Sequence, residues 1–314
     1  MKAVDHTFAD IELPKPSPSG RDLLVKVEAI SVNPVDYKQR KAATASKVLG
    51  WDAAGIVEAI GPQTELFKPG DQVYYAGDVT RPGCNSEFHL VDERIVGRKP
   101  KTLDFAQAAA MPLTSITAWE AFHDRMRIQR GKRLLIISGA GGVGSIGIQL
   151  AKHAGMHVIA TASRPDSIAW VKSLGADEVV GRDFRSQINT PVEYIANFSG
   201  DLDAYWDAMA ELVAPQGAVV AIVGNQKPLS MDLVRSKSAS VCWELMFTRP
   251  RFKTPDMIEQ HKLLNQVADL LDAGKLKCTL KETLSPINGA NLRKAHQRLE
   301  SGTMIGKLVL TGWH

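Results

Sequence analysis

The chain has 314 residues, of which 44% are hydrophobic and 23% charged, with a formal net charge of +4. The length predicts two domains, and the composition is ordinary for a soluble globular protein. The small, scattered basic excess argues against nucleic-acid binding, and no apolar stretch is long enough to cross a bilayer. The cysteines Cys84, Cys242 and Cys278 lie far apart and no apolar leader is present, so we expect a cytoplasmic protein without a disulfide framework.

The first third of the chain predicts short β-strands separated by turns. Leu23 to Ile30 alternates apolar and polar residues, as a half-buried strand does. Gly55 to Gly61 predicts a second strand, and Gln72 to Tyr75 predicts a third after a Lys-Pro-Gly-Asp turn. Short strands at this spacing indicate a small barrel or sandwich.

The middle of the chain alternates buried-type strands with helices, which indicates a doubly wound parallel sheet of the Rossmann type. The predicted strands are residues 133–138, 157–161, 178–180, 194–198 and 217–223, and the helical runs between them are 146–152, 166–174 and 204–213.

The last stretch predicts helices at 256–273 and 289–300 and strands at 279–284 and 306–310. These strands have no place in a six-stranded Rossmann sheet, so we assign them to the first domain. The predicted fold is therefore α/β, with a Rossmann domain (116–250) inserted into a discontinuous β-rich domain (1–115 and 251–314).

A glycine cluster follows the first strand of the predicted Rossmann domain. Gly139, Gly141 and Gly144 fit the pattern G-x-G-x-x-G, directly after a strand and directly before a helix. The first glycine permits the tight turn, the second lets the backbone approach a pyrophosphate, and the third lets helix and strand pack closely. Because a helix N-terminus binds phosphate, we predict a dinucleotide site that also includes Gly142 and Val143.

The residues after the second Rossmann strand indicate which dinucleotide binds. An NAD site usually has a carboxylate there, on the ribose 2′-hydroxyl. This chain has Ser163 and Arg164, and an arginine fork matches phosphate geometry. We therefore predict NADPH. The alternative for Arg164 is a solvated residue at the start of a helix.

Nearly the whole chain resembles the medium-chain dehydrogenase/reductase superfamily. Within it, the closest resemblance is to the zinc-independent quinone-oxidoreductase branch, which includes zeta-crystallin, and to the subfamily called zinc-type alcohol dehydrogenase-like. The resemblance implies a GroES-like catalytic domain, a cofactor site that takes in Gly224, Asn225 and Lys307, and a homodimer or homotetramer, of which we expect the homodimer. It is carried by residues 31–36 (SVNPVD), 50–55 (GWDAAG), 67–73 (FKPGDQV), 109–115 (AAMPLTS), the glycine loop with 148–152 (IQLAK), and the tail from 295 to 307.

The residues contradict the zinc in the subfamily's name. Zinc enzymes of this superfamily take ligands from a cysteine and a Gly-His-Glu motif. Here the matching positions are Asn33 to Asp36, without a cysteine, and Gly50-Trp51-Asp52, without a histidine. A structural zinc site needs four clustered cysteines, and Asp36 with Asp52 would make a poor zinc site. We expect no metal.

A metal-free site favours acceptors that take hydride readily. Zinc would polarise a carbonyl as a Lewis acid. Quinones and α,β-unsaturated carbonyls instead delocalise charge onto an oxygen that hydrogen bonds stabilise. We therefore expect hydride transfer from NADPH to such a substrate. The alternatives are an enoyl thioester reductase and an NADPH-binding sensor or structural protein with little turnover.

Three residues are candidates for the catalytic site. Asn33 is predicted to donate a hydrogen bond to substrate, the alternative being an Asn-Pro turn residue. Thr114 matches a family threonine near the nicotinamide and is also a candidate helix N-cap. Tyr37 is a candidate proton donor, the alternative being a packed aromatic. Trp243 and Phe247 are expected to pack in the core, the alternative being that they line the active-site cleft or a subunit contact.

Overall fold

The computed structural model describes residues 2–4 and 7–313, which form two compact units. Unit 1 combines the two ends of the chain, 1–116 and 247–314, and unit 2 is the intervening 117–246. The chain passes between the units at 116/117 and 246/247, whereas the sequence-based boundaries are 115/116 and 250/251. The α/β class with a parallel sheet is confirmed.

The helices and strands, in chain order, have the following bounds. The first stretch of the chain contains β1 (Lys2–Val4), β2 (Thr7–Ala9), β3 (Asp22–Ser31), α1 (Pro34–Ala42), β4 (Lys47–Val48), β5 (Ala53–Ile60), β6 (Gln72–Tyr75), β7 (Phe88–Asp92), a 3₁₀ helix (Glu93–Ile95), β8 (Val96–Arg98), α2 (Phe105–Ala109) and α3 (Pro112–Trp119), whose last three residues belong to unit 2. Next come a π-helix (Glu120–Arg125), β9 (Arg133–Ile137), α4 (Gly142–His153), β10 (His157–Thr161), α5 (Pro165–Ser173), β11 (Glu178–Val180), β12 (Val192–Asn197), α6 (Trp206–Leu212), β13 (Val213–Ala221), α7 (Asp232–Ser236) and β14 (Ser240–Trp243). The chain ends with α8 (Thr248–Phe252), α9 (Ile258–Asp272), β15 (Leu280–Leu284), α10 (Gly289–Glu300) and β16 (Lys307–Thr311).

None of the helices in the described part of the chain combines the length and apolarity required to span a membrane. The cytoplasmic location expected from the sequence stays a prediction.

The main sheet of unit 1 has the order β15-β16-β3-β5-β6-β8, with β7 also paired to β3. It joins strands from both ends of the chain, because β16 pairs antiparallel with β3. The longest strand, β3, buries Leu23, Val25 and Val27, as its alternating pattern predicts. Gly55 of β5 lies against β3 so closely that an added Cβ would be 2.1 Å from the carbonyl oxygen of Lys26, so this strand pair requires glycine.

The sheet of unit 2 has six parallel strands in the order β11-β10-β9-β12-β13-β14. Numbered within the unit, this is 3-2-1-4-5-6, the order of a dinucleotide-binding Rossmann sheet. The strand order reverses between β9 and β12, and ligands bind outside the carboxyl ends of the strands at such a point. The fold therefore puts the candidate cofactor site where the glycine loop follows β9.

A buried core holds those strand ends in place. On one face of the sheet, Leu135, Ile159, Ile195 and Val219 come from four neighbouring strands. They belong to the same buried cluster as Trp206 of α6. Because both faces of a parallel sheet are covered by helices, its strands are nearly continuous apolar runs, which is why five of the six were predictable.

Two sequence expectations about this region need correction or completion. Trp243, expected in the core, is 49% exposed at the end of β14, whereas Phe247 is buried as expected. Strand β14 itself, Ser240–Trp243, was not predicted because it is short and begins with a serine. It is the last strand of the sheet, so the residues on its outer side lack a covering strand among the described residues.

His296 of α10 gives a prediction about acid stability. Its ring is buried against Phe8, with centroids 4.7 Å apart, and neither ring nitrogen has a hydrogen-bond partner among the described residues. Burial, with a smaller effect of the Arg40 guanidinium, lowers the pKa of His296 to about 3. The unfolded chain takes up the proton near pH 6.5, so stability is complete above that pH and is lost as the pH falls towards 3.

We expect His296→Leu to remove this loss. Between pH 7 and pH 5 the wild type should lose about 2 kcal/mol more free energy of unfolding than the variant. Urea unfolding at the two pH values measures the difference. His153→Gln, at an exposed histidine, is the control and should behave like the wild type. An equal loss in wild type and His296→Leu would show that His296 is protonated in the folded state.

Candidate functional site

The glycine loop of unit 2 connects β9 to α4. Ser138 leaves the strand with a φ of 66°, and the amide of Gly139 donates to the carbonyl oxygen of Thr161 at 3.1 Å. The amide of Gly141 donates back to the carbonyl oxygen of Ser138 at 3.1 Å, which closes the turn. Gly141 is the N-cap of α4, so the residues that complete the glycine motif form the first turn of the helix, where backbone N–H groups have no acceptor within the helix.

The second and third glycines of the motif are needed for different reasons. A Cβ on Gly144 would lie 2.3 Å from the carbonyl oxygen of Ser138 and 2.7 Å from Cα of Gly139. Close packing of helix on strand therefore forbids a side chain there. A Cβ on Gly141 would approach nothing closer than the hydroxyl of Ser138, at 3.2 Å. Because the fold tolerates a methyl group at Gly141, a ligand that must approach the backbone is the better reason for this glycine.

The buried hydroxyl of Ser145 stabilises the glycine loop. Ser145 Oγ donates to the carbonyl oxygen of Ala140 at 3.3 Å and accepts a hydrogen bond from Nε1 of Trp170 at 2.8 Å. Through this bridge α5 is fixed to the glycine loop. Sequence reasoning missed both residues, since the bridge joins positions 25 residues apart and a serine in the first turns of a helix carries no specific signal.

Gly224 and Asn225 follow β13, at the carboxyl edge of the same sheet. An added Cβ on Gly224 would have nothing within 4 Å, and Asn225 is exposed, with its amide donating to the carbonyl oxygen of Lys227 at 2.9 Å. Parallel pairing thus brings both residues to the edge that carries the glycine loop. Their predicted contact with the cofactor stays a prediction.

The residues predicted to select the cofactor follow β10. Ser163 is exposed, and Arg164 is the N-cap residue of α5, with 42% of its side chain exposed and Nε 3.4 Å from Oδ1 of Asp166. A further arginine was missed from the sequence. The amide of Ala162 donates to the carbonyl oxygen of Val180 at 2.9 Å, so the ends of β10 and β11 are adjacent, and the exposed Arg182 lies two residues past Val180.

A buried polar cluster occupies the sequence motifs of unit 1. Asp52 is fully buried, and its Oδ2 accepts hydrogen bonds from Nδ2 of Asn33 at 2.8 Å and from the ammonium of Lys307 at 3.1 Å. Its Oδ1 accepts from the backbone amide of Leu113 at 2.8 Å. All three groups are donors, so the arrangement suits the ionised carboxylate. Burial raises the pKa of Asp52, and the Lys307 ammonium opposes that rise.

A second carboxyl group, Asp36, lies beside this cluster. The backbone amide of Asn33 donates to its Oδ2 at 2.7 Å, and its buried Oδ1 has no hydrogen-bond partner among the described residues. Burial raises the pKa of Asp36 to about 7, against the effect of the Asn33 amide and the Lys307 ammonium.

The donor set does not fit a zinc ion. Trp51, at the position of the missing histidine, is buried and donates from Nε1 to the carbonyl oxygen of Asp78 at 3.2 Å. Both oxygens of Asp52 are occupied by donors, one of them a cation. Cys84 Sγ donates to the carbonyl oxygen of Asp52 at 3.4 Å, and burial raises the pKa of this thiol well above its usual range. Within 2–4 and 7–313, no group of three or more His, Cys, Asp or Glu residues could hold a metal.

The structure places the remaining predicted residues as follows. Thr114 is buried in the first turn of α3, one residue after Leu113, and its hydroxyl donates to the carbonyl oxygen of Met111 at 3.2 Å. It is inside the helix, so it is not the N-cap residue. Tyr37 is half-buried on α1, with the Lys41 ammonium 5.3 Å from its ring centroid. Lys307 lies in the Asp52 cluster. The catalytic roles of Asn33, Thr114 and Tyr37 stay predictions.

Two family profiles match the chain. One is described as an alcohol dehydrogenase GroES-like domain and matches residues 19–102, and the other is described as a zinc-binding dehydrogenase and matches residues 174–310. A curated zinc-type alcohol dehydrogenase-like protein of Staphylococcus aureus (strain Mu50) is 43% identical over 318 residues, covering 96% of this chain and 94% of the relative. The 2-methylene-furan-3-one reductase of Solanum lycopersicum is 31% identical over 309 residues, covering 92% and 71%.

A solved structure agrees with these matches. A protein of Rhizobium etli CFN 42, provisionally named a zinc-dependent alcohol dehydrogenase, is 52% identical and superposes with a TM-score of 0.93, covering 97% of this chain and 93% of that one. Family profiles, relatives and fold point to the same assignment. The chain belongs to the medium-chain dehydrogenase/reductase superfamily.

Proposed function

We propose that this oxidoreductase is an NADPH-dependent, zinc-independent reductase that transfers hydride to a quinone or an α,β-unsaturated carbonyl compound. The observation that carries the proposal is the Asp52 cluster, in which a lysine ammonium neutralises the carboxylate and Trp51 replaces a histidine ligand. Without a Lewis acid, the acceptor itself must stabilise the charge that hydride transfer creates.

Conjugated acceptors meet that requirement. Hydride from the nicotinamide adds to the β-carbon of an enone, the electron pair moves to the carbonyl oxygen, and a proton from solvent completes the reduction. A quinone likewise takes up one hydride and one proton, a two-electron reduction that gives the hydroquinone. A hydrogen-bond donor at the developing oxyanion is the protein's main contribution. The name of the Solanum lycopersicum relative supports this chemistry, since a 2-methylene-furan-3-one carries a methylene group conjugated with a ketone.

The choice of NADPH is supported by the charge at the end of β10. Ser163 and Arg164 stand where an NAD site usually has a carboxylate, and Arg182 follows the adjacent strand. Two guanidinium groups at neighbouring strand ends favour a ribose 2′-phosphate over a free hydroxyl.

We expect Arg164→Ala to weaken NADPH binding and to leave NADH binding nearly unchanged. Loss of a charge-assisted hydrogen bond costs about 1.5–3 kcal/mol, or roughly ten- to a hundredfold in Kd. Fluorescence titration with both cofactors measures the difference. Arg235→Ala, at an exposed arginine of α7, is the matched control. Equal weakening of both cofactors would rule out a contact with the 2′-phosphate.

A panel of acceptors tests the reaction. NADPH and NADH are each offered with a para-quinone, a small enone, an enoyl thioester and a simple ketone, and alcohol oxidation is measured with NADP⁺. We expect oxidation of NADPH by the quinone or the enone, no effect of a chelator, and no stoichiometric zinc in metal analysis. Preference for the thioester would favour an enoyl reductase. Binding of NADPH without turnover of any acceptor would favour a sensor. Alcohol oxidation that a chelator abolishes, with about one zinc per chain, would contradict the proposal.

We also propose a homodimer formed through the outer edge of β14. Among the described residues this strand pairs only with β13, and Trp243 and Leu245 beside it are 49% and 45% exposed. Sedimentation equilibrium should give twice the chain mass of 34.2 kDa, and Trp243→Glu should shift the species towards a monomer. A monomeric wild type would exclude this interface.

A further inference from the structure

We infer that Lys307 is a positioning residue: its buried ammonium fixes the amide plane of Asn33 and so aims the donor that the proposed reduction uses. This inference rests on the proposed function, because Asn33 is the donor proposed there. It also replaces the contact with cofactor that the sequence suggested for Lys307.

The ammonium of Lys307 has no remaining capacity for a phosphate. Its Nζ donates to the carbonyl oxygen of Val32 at 3.1 Å, to Oδ1 of Asn33, and to Oδ2 of Asp52 at 3.1 Å. An ammonium group has three N–H bonds, and these three acceptors use all of them. The residue is 3% exposed at the start of β16, so its charge is directed inward.

The partners of Asn33 determine which way its amide faces. Oδ1 accepts from the Lys307 ammonium and Nδ2 donates to Asp52, so exchanging the two ends would put donor against donor and acceptor against acceptor. The second hydrogen of Nδ2 has the carbonyl oxygen of Ser31 at 3.5 Å, the limit of a weak hydrogen bond. Asn33 is 2% exposed, so an oxyanion would take that hydrogen in place of the Ser31 carbonyl oxygen, and Lys307 and Asp52 together set the direction of the hydrogen.

The cluster also couples the second candidate residue to the first. Asp52 Oδ1 accepts from the amide of Leu113, and Thr114 is the next residue of α3. The charged and titratable groups around this point are Asp36, Asp52, Lys307 and the Cys84 thiol. Lys307 is the cation among these four, so its removal leaves Asp52 uncompensated and releases Asn33 from one end.

The test compares Lys307→Met with Lys294→Met, a matched change at an exposed lysine of α10. NADPH Kd is measured by fluorescence titration, and kcat and KM are measured with a para-quinone. We expect kcat of Lys307→Met to fall roughly ten- to a hundredfold through misalignment of the donor, with KM and NADPH Kd within about twofold of wild type. A loss of NADPH affinity that matches the loss of kcat, or an unchanged kcat, would overturn the inference.

A double variant covers the case in which Lys307→Met does not fold. Lys307→Met with Asp52→Asn removes both charges; the single carbonyl oxygen of the substituted side chain can accept from Nδ2 of Asn33, and the backbone amide of Leu113 then loses its acceptor. We expect it to fold and still to show the fall in kcat, because Oδ1 of Asn33 again lacks its donor. Recovery of wild-type kcat in this variant would show that charge balance, and not the position of Asn33, is what Lys307 provides.

A spectroscopic measurement separates this inference from the proposed function. If the wild type reduces no acceptor in the panel, the proposed function fails, but the Asn33 side-chain amide remains observable by ¹⁵N–¹H NMR, assigned by its absence in Asn33→Ala. We expect its two hydrogens to exchange slowly in the wild type and in Lys294→Met, and to exchange faster at a shifted position in Lys307→Met or the double variant. An unchanged Asn33 resonance would overturn the positioning role.

Discussion

Replacing Gly144 with alanine is expected to destabilise unit 2, whereas Gly141→Ala should leave it folded and should weaken NADPH binding severely. The added methyl group at Gly144 would lie 2.3 Å from a backbone oxygen and 2.7 Å from a Cα atom, so helix α4 and strand β9 would have to separate. Overpacking of this kind costs about 1–3 kcal/mol or more, because backbone atoms cannot move aside as side chains do. At Gly141 the added Cβ would lie 3.2 Å from the hydroxyl of Ser138 and 3.4 Å from its carbonyl oxygen, contacts that a small shift relieves.

The effect at Gly141 arises from the ligand. A methyl group there would stand between the loop backbone and the pyrophosphate, which relies on close approach to N–H groups at the start of α4. Thermal unfolding and NADPH titration of the two variants measure the contrast. Gly131→Ala, at a glycine outside the motif whose φ of 82° makes alanine strained, is the control for a loss of stability without a loss of NADPH binding. If Gly141→Ala binds NADPH as the wild type does, the phosphates do not contact this loop.

The glycine loop could be predicted because its signal is local. The strand, the motif and the helix follow one another within a few residues, and each has a characteristic period or composition. The parallel strands of unit 2 could be predicted equally well, since burial on both faces makes them continuous apolar runs. Strand β14 was not predicted, because a strand of four residues that begins with a serine is too short to form a continuous apolar run.

The Asp52 cluster could be predicted only in part. Asn33, Asp52 and Lys307 were each noticed in family motifs, yet their contacts span 19 and 255 positions of the sequence. No local pattern says that a lysine at the start of the last strand donates to an asparagine before the first helix. That contact depends on the pairing of β16 with β3, which brings the two ends of the chain together. For the same reason, the internal partners of Lys307 could not be predicted from the sequence.

Trp243 shows the limit of reasoning from residue type. A tryptophan is usually well buried, and the sequence therefore favoured the core. The sheet instead ends at β14, so the side chain stands at an edge that the described residues leave open. Burial in this case is decided by strand order, which a composition argument cannot supply.

Asn33→Ala is expected to lower kcat by roughly a hundredfold while NADPH Kd stays within about twofold of wild type. Removal of one donor aimed at developing negative charge has an effect of this size when the donor is held in place beforehand. Asn33 meets that condition, because Lys307 and Asp52 hold its amide from both ends. The ion pair between Lys307 and Asp52 survives the substitution, so the fold should persist.

Single-turnover reduction of a para-quinone by the NADPH complex measures the hydride step directly. Asn265→Ala is the matched control, since Oδ1 of Asn265 accepts from the amide of Arg98 at 3.0 Å and its loss should reduce stability without changing the rate. A wild-type rate in Asn33→Ala would mean that the oxyanion takes its hydrogen bond from another group. A parallel loss of rate in both variants would mean that stability, and not the donor, limits turnover. A fall confined to Asn33→Ala and Lys307→Met would instead place both residues in one functional unit, with the lysine acting through the asparagine.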